Sequence, residues 1–186
     1  MSEQVKSKRN RLTPEERVTQ LMEIALELFA QKGLGRVGHG DIAKAAHVST
    51  ATVFNYFPTT ESLNAAVMDV VAWETLSIFA EDVAPAQSPV LEYGARLLMI
   101  VEEKPNLLKI FLNWSHAFDA SYRATFLALK DEILSHITQS LPERDGVDID
   151  AQIIFGTGVL FAQMKIEGAS EDDLNRFATR VAHLLA

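Results

Sequence analysis

The tract from His39 to Pro58, HGDIAKAAHVSTATVFNYFP, constrains the fold more than any other part of the chain. Its spacing predicts two short helices, over about 40–46 and 50–56, joined by a tight turn and stopped by the proline. Ile42, Ala43 and Ala46 can pack against Val48, Val53 and Phe57. Ser49 is placed to cap the second helix through the N–H groups of its first turn. Facing away from that small core are Thr50, Ala51, Thr52, Asn55 and Tyr56, short or polar groups of the kind that fit a major groove.

Composition narrows the alternatives. The chain has 186 residues and is 48% hydrophobic, enough to bury one or two helical cores. It has no cysteine, which excludes disulfide frameworks and thiolate metal sites. The opening Met-Ser-Glu-Gln-Val-Lys lacks the apolar stretch of a secretory signal, and no run approaches the roughly 18 apolar residues of a membrane span. The expected location is the cytoplasm. A net charge of −8 argues against a polyanionic partner unless the charges are segregated, and they are. Residues 1–60 hold eight Lys/Arg against six acids; residues 61–186 hold nine against nineteen. A mildly basic head precedes an acidic body.

The organisation follows from local signals. Residues 1–12 are polar, basic and aperiodic, and are expected to form a flexible arm. Thr13-Pro14-Glu15-Glu16 is a helix start with Thr as N-cap, Pro at the first position and Glu at the third. The stripe Val18, Leu21, Met22, Ala25, Leu28, Phe29 carries that helix to about residue 32, where Gly33 ends it. After Pro58, Thr59 or Thr60 can cap a long connector helix through Leu63, Val67, Val70 and Val71. Further boundaries fall at Gln87-Ser88-Pro89, Lys104-Pro105, Asp119, Leu141 to Val147, and Ser170 to Asp173. No strand pattern or repeat is present. The division expected is an arm (1–12), a helix-turn-helix domain (13–59) and a helical body (60–186).

Competing chemistry is weak. Gly33-Leu34-Gly35-Arg36-Val37-Gly38 matches G-x-G-x-x-G letter for letter, but the dinucleotide motif needs a preceding strand and this run follows a helix. Glu132 and His136 share a helix face without forming a metal motif, and His39, His47, His116 and His183 are scattered. There is no nucleophile elbow or phosphate loop. Neither catalysis, a metal nor a cofactor is expected. A purely structural helical dimer is disfavoured by the polar set on the second short helix.

Arg11-Leu12-Thr13-Pro14-Glu15, Leu21 to Glu27, Gly33-Leu34-Gly35-Arg36 and Ala51 to Thr59 together resemble the amino-terminal domain of the TetR family of transcriptional regulators. More narrowly, they resemble the LuxR/HapR/SmcR-type quorum-sensing master regulators. Leu108-Lys109 and Trp114-Ser115 extend the resemblance loosely into the body. It implies an all-α fold of about nine helices: three that bind DNA, then a ligand and dimerisation body whose last two long helices pair with their mates in a four-helix bundle. It also implies a regulator that represses some promoters and activates others. The alternative is a ligand-released local repressor of an efflux or metabolic gene.

Between Lys44 and Arg96 there is no lysine or arginine, so the second short helix cannot make the bidentate Arg–guanine contact, the commonest specific contact in the major groove. Specificity must come from Thr50, Thr52 and Asn55 hydrogen bonds, from Ala51 and threonine methyls on thymine, and from duplex shape. A degenerate, A/T-tolerant operator follows. Tyr56, and by resemblance Asn55, fit phosphate or sugar anchoring at the rim of that face. Arg9 and Arg11, with Lys6 and Lys8, could reach an adjacent minor groove or serve only solubility. Lys44, Arg36 and Arg17 are backbone-contact candidates or solvated charges. Where most TetR relatives place glycine at the bend, this chain has His47, which tolerates the left-handed conformation better than most residues.

Because bodies of that family usually enclose a cavity, one is expected near Thr75, Leu76, Phe79, Phe111, Trp114 and Phe155, open to an apolar or amphipathic small molecule. Ordinary core packing is the competing explanation of those aromatics. Segment 151–164 is apolar around much of its circumference, with Gly156 and Gly158 permitting close approach of another helix. Ile153, Phe155, Val159 and Leu160, with Phe177, Val181 and Leu184 of the last helix, are therefore the expected homodimer interface. A helix buried within one subunit is the competing reading.

Overall fold

The computed structural model describes residues 12–80 and 88–185. Among them there is no strand. The elements in order are α1 (Pro14–Lys32), α2 (His39–Ala45), α3 (Thr50–Tyr56), α4 (Thr60–Ser77), α5 (Pro89–Glu103), α6 (Pro105–Ser115), α7 (Ala120–Ser140), α8 (Val147–Ile166) and α9 (Glu171–Leu185). The basic arm, with Arg9 and Arg11, lies outside the described residues.

Local chemistry sets the boundaries. Thr13 and Glu16 form a reciprocal capping box: Thr13 Oγ1 accepts from the Glu16 N–H at 3.2 Å, and a Glu16 carboxylate oxygen accepts from the Thr13 N–H at 2.8 Å. Gly33 closes α1 at φ 86°, a left-handed angle that costs glycine nothing. Thr59 Oγ1 accepts from the Ser62 N–H at 3.0 Å and starts α4. Lys104 ends α5 and Pro105 opens α6, as X-Pro geometry requires. Asp119 caps α7 and Ser170 caps the start of α9. The penultimate helix is longer than the apolar run suggests: a left-handed Gly146 lets α8 begin at Val147, with Asp148 and Asp150 in its first turn.

The head is α1 to α3, with Leu21, Ala25 and Phe29 of α1 fully buried against the α2–α3 pair and the body. α1 also packs on α6, and α4 runs from the head into the body against α6 and α7. There α8 is the central element, in contact with α5, α6, α7 and α9. One continuous apolar core therefore joins head and body, from Phe29 and Val53 through Leu63, Val67 and Val71 to Ile110 and Ile133. Among the described residues no helix is long and apolar enough to cross a membrane, and no group of three or more His, Asp or Glu is placed to hold a metal ion.

Candidate nucleic-acid interface

The α2–α3 pair is held from beneath by Ile42, Ala43, Ala46, Val53 and Phe57, all buried. The turn between the helices needs a left-handed residue, and His47 takes φ 54° there, the only described non-glycine residue with positive φ. Ser49 Oγ accepts from the Thr52 N–H at 3.1 Å. The Ser49 and Thr52 hydroxyls also bond each other at 2.9 Å, so both are occupied within the free protein. Thr52 is accordingly half-buried, while Thr50, Ala51 and Asn55 are exposed and Lys44 is exposed on α2. Tyr56 is half-buried and packs on the core, leaving only part of its ring at the rim.

The outward stripe of α3 includes one residue that sequence reasoning passed over. Phe54 is 45% exposed and lies one turn from Thr50, on the face of Thr50, Ala51 and Asn55. The signal was available, because positions 50, 51, 54 and 55 form one helical stripe whenever Val53 and Phe57 point inward. The ring of His39 stacks on Phe54, with centroids 3.9 Å apart and planes 11° from parallel.

Charges around this unit are few. Lys32 at the end of α1 pairs with Asp41 of α2, whose other oxygen accepts from the Gly38 N–H at 3.0 Å. The Lys32 hydrogen bond, then the Gly38 N–H, holds the Asp41 carboxyl below its ordinary value. Glu61, in the first turn of α4, is also lowered, first by its own backbone N–H and then by the Thr59 hydroxyl.

The head meets the body at a three-way joint. Tyr122 of α7 reaches the α1–α2 loop, where a Cβ on Gly35 would stand 3.6 Å from its hydroxyl oxygen. Asn64 of α4 donates from Nδ2 to that hydroxyl at 3.0 Å, while Asn64 Oδ1 is buried without a partner. Trp114 of α6 donates from its indole to the Tyr122 carbonyl at 2.8 Å. Burial raises the Tyr122 phenol above its ordinary value, Asp119 adding to the effect and the Gly35 backbone opposing it.

The body holds a partly open cavity of about 80 Å³ between α4, α5, α6, α7, α8 and α9. Thr75, Phe79, Phe111 and Phe155 line it. Leu76 and Trp114 do not: Leu76 packs into the core, and Trp114 is turned toward α7, 2% exposed and edge-on to Phe126. The two threonine hydroxyls on the wall are spent locally, Thr75 Oγ1 donating to the Val71 carbonyl at 2.7 Å and Thr157 Oγ1 to the Ile153 carbonyl at 2.8 Å. What remains facing the space is almost wholly apolar, with Glu74 the one charged residue, paired to Lys104.

The expected interface residues divide. Ile153, Leu160 and Leu184 are 43%, 46% and 69% exposed. Ile149, Ile153, Gly156 and Leu160 recur at helical spacing on the outer face of α8. Phe155, Val159, Phe177 and Val181 instead line the cavity of their own subunit. α8 is apolar around much of its circumference, so its pattern does not distinguish the inward face from the outward one.

Residues 21–67 match the profile described as bacterial regulatory proteins, tetR family. The TetR-like regulator from Rhodococcus sp. RHA1 superposes with a TM-score of 0.74 at 19% identity, covering 94% of this chain and 96% of that one. FadR from Bacillus subtilis, solved in complex with stearoyl-CoA, gives a TM-score of 0.63 at 18% identity, covering 90% and 97%. The chain thus has the all-α TetR-like fold, and residues 21–67 of its head are similar to the tetR family profile. The chain is also similar to the HTH-type transcriptional regulator LuxR of Vibrio harveyi, 41% identical over 113 residues. That match covers 59% of this chain and spans only 55% of LuxR.

Proposed function

We propose that this chain is a homodimeric, sequence-specific DNA-binding regulator of transcription whose body takes an apolar small molecule. The observation that carries the DNA assignment is the Ser49-capped α3, anchored by Val53 and Phe57 and presenting Thr50, Ala51, Phe54 and Asn55 outward. In this reading α3 enters the major groove, Lys44 and the rim of Tyr56 meet the backbone, and Arg9 and Arg11 reach from the arm to the minor groove. Pairing of Ile153, Leu160 and Leu184 with their mates sets two recognition helices against two half-sites about one helical turn apart.

A ligand-responsive local repressor is the preferred form of this reading. The cavity supports it: α4 carries Glu74 and Thr75 on the cavity wall and begins beside the end of α3, so a ligand that moves α4 moves the head. The likeness in fold to FadR, which was solved with stearoyl-CoA, agrees with an apolar effector. A second reading, a global regulator of quorum-sensing type, is favoured by the 41% identity to LuxR.

Anisotropy titrations test both layers. The wild-type protein is expected to prefer duplexes enriched from random DNA over scrambled duplexes, and a panel of fatty acids and flat aromatics should contain members that release it. No preference for any duplex removes the DNA assignment. Preference without release by any panel member, together with genome-wide occupancy of many sites, favours the global regulator.

A further inference from the structure

Resting on the DNA-reading assignment above, we propose that His39 is a positioning residue that sets the pose of the α3 reading face. His39 is 5% exposed and is the one buried polar or charged residue among those described. Its Nε2 lies 2.6 Å from the carbonyl oxygen of Phe57. A carbonyl only accepts, so Nε2 carries the proton. Phe57 is the C-cap of α3, where helix carbonyls lose their intrahelical partners and where Pro58 follows with no N–H to offer. The face of the same ring lies flat on Phe54.

One imidazole therefore grips α3 at two points, its exposed stripe and its carboxy-terminal carbonyl, and the two points bracket Asn55 and Tyr56. The apolar contacts beneath α3, through Ile42, Val53 and Phe57, are non-directional and permit a small roll or slide of the helix. A hydrogen bond at the ring edge combined with a stack on the ring face does not. Pose matters here more than in a reader that carries arginine. Thr50 and Asn55 are short, and base-edge hydrogen bonds weaken steeply once distance or angle departs from a narrow range. α2, which carries His39, is seated by the buried Ile42 and Ala43 and tied to α1 by the Lys32–Asp41 pair.

The test compares affinity for a duplex enriched by the wild-type protein with affinity for a scrambled duplex of the same composition, in His39→Ala, His39→Gln and His39→Phe variants. His39→Ala is expected to lose about tenfold or more in affinity for the enriched duplex while binding the scrambled one within about twofold, the size of a lost buried hydrogen bond. His39→Gln, which keeps a donor, and His39→Phe, which keeps the stack, should each recover part of the loss. A role confined to folding lowers both affinities together through the active fraction and leaves their ratio unchanged, which overturns the proposal. Should His39→Ala not fold, Phe54→Leu probes the grip from the exposed side. It is expected to cut the ratio in the wild-type background and to add little in the His39→Gln background, where the stack is already lost; full additivity overturns the proposal. A wild-type protein with no preference between the two duplexes points instead to failure of the DNA assignment itself.

Discussion

Replacing Tyr122 by phenylalanine probes the joint through which body and head are coupled. The substitution removes one oxygen and leaves the ring in place, but it strips Asn64 Nδ2 of its partner at 3.0 Å. Asn64 Oδ1 is already buried and unpaired, so the whole amide is then left without a protein partner. An unsatisfied buried donor costs about 1–3 kcal/mol, and because Tyr122 is only half-buried the lower part of that range applies, about 1–1.5 kcal/mol. With a urea m-value of about 2–3 kcal/mol/M for a chain of this size, the midpoint should fall by about half a molar. Asn64→Leu should behave differently. It sacrifices the bond to Tyr122 but also removes the unpaired Oδ1, and replacing polar partners by apolar groups of similar shape is nearly neutral, within about 0.5 kcal/mol here. In the Asn64→Leu background, Tyr122→Phe should then cost less than about 0.5 kcal/mol, giving a coupling of about 1 kcal/mol in a double-mutant cycle. Equal cost of Tyr122→Phe in both backgrounds would refute this account of the joint.

Three further outcomes follow from the charges and the outer face of α8. The Asp41 carboxyl is held below its ordinary value, so its stabilising contribution is present above the unfolded value of 3.8 and is lost as pH falls through the folded one. Unfolding titrations should therefore show wild type and Asp41→Asn converging below about pH 4, with the difference largest near neutrality. Glu61 stands in the first turn of α4, a few residues beyond the end of α3; Glu61→Lys should tighten binding to any duplex and steepen the salt dependence by up to about one phosphate contact, measured as the slope of log affinity against log salt. Leu160→Glu places a charge on the exposed apolar face of α8 and should raise the dimer dissociation constant at least about tenfold by sedimentation, with little change in helix content.

Much of the head was legible in the sequence because its determinants are local. Thr13, Pro14, Gly33, Ser49 and Pro58 each act within a turn of the boundary they set, and His47 announced its left-handed angle by standing at a bend. What escaped depends on partners distant in sequence. His39 and Phe57 are eighteen residues apart, and Asn64 and Tyr122 fifty-eight, and neither pairing leaves a periodic trace. The cavity was half legible: the helical spacing of Thr75 and Phe79 marks one face of α4 and its continuation, but Trp114 was drawn away by a carbonyl acceptor on α7. On α8 the apolar pattern was too uniform to sort Phe155 and Val159 from Ile153 and Leu160. Only the packing of α5, α7 and α9 around it decides which side is inside.

Selection of duplexes from random DNA by the purified full chain tests the central claim most directly, namely that an uncharged α3 reads a groove. Enrichment of two half-sites is expected, with centres about one helical turn apart, rich in A·T steps and tolerant of substitution at most positions. A selected site that demands invariant guanines under α3, or no enrichment over the starting pool, contradicts it.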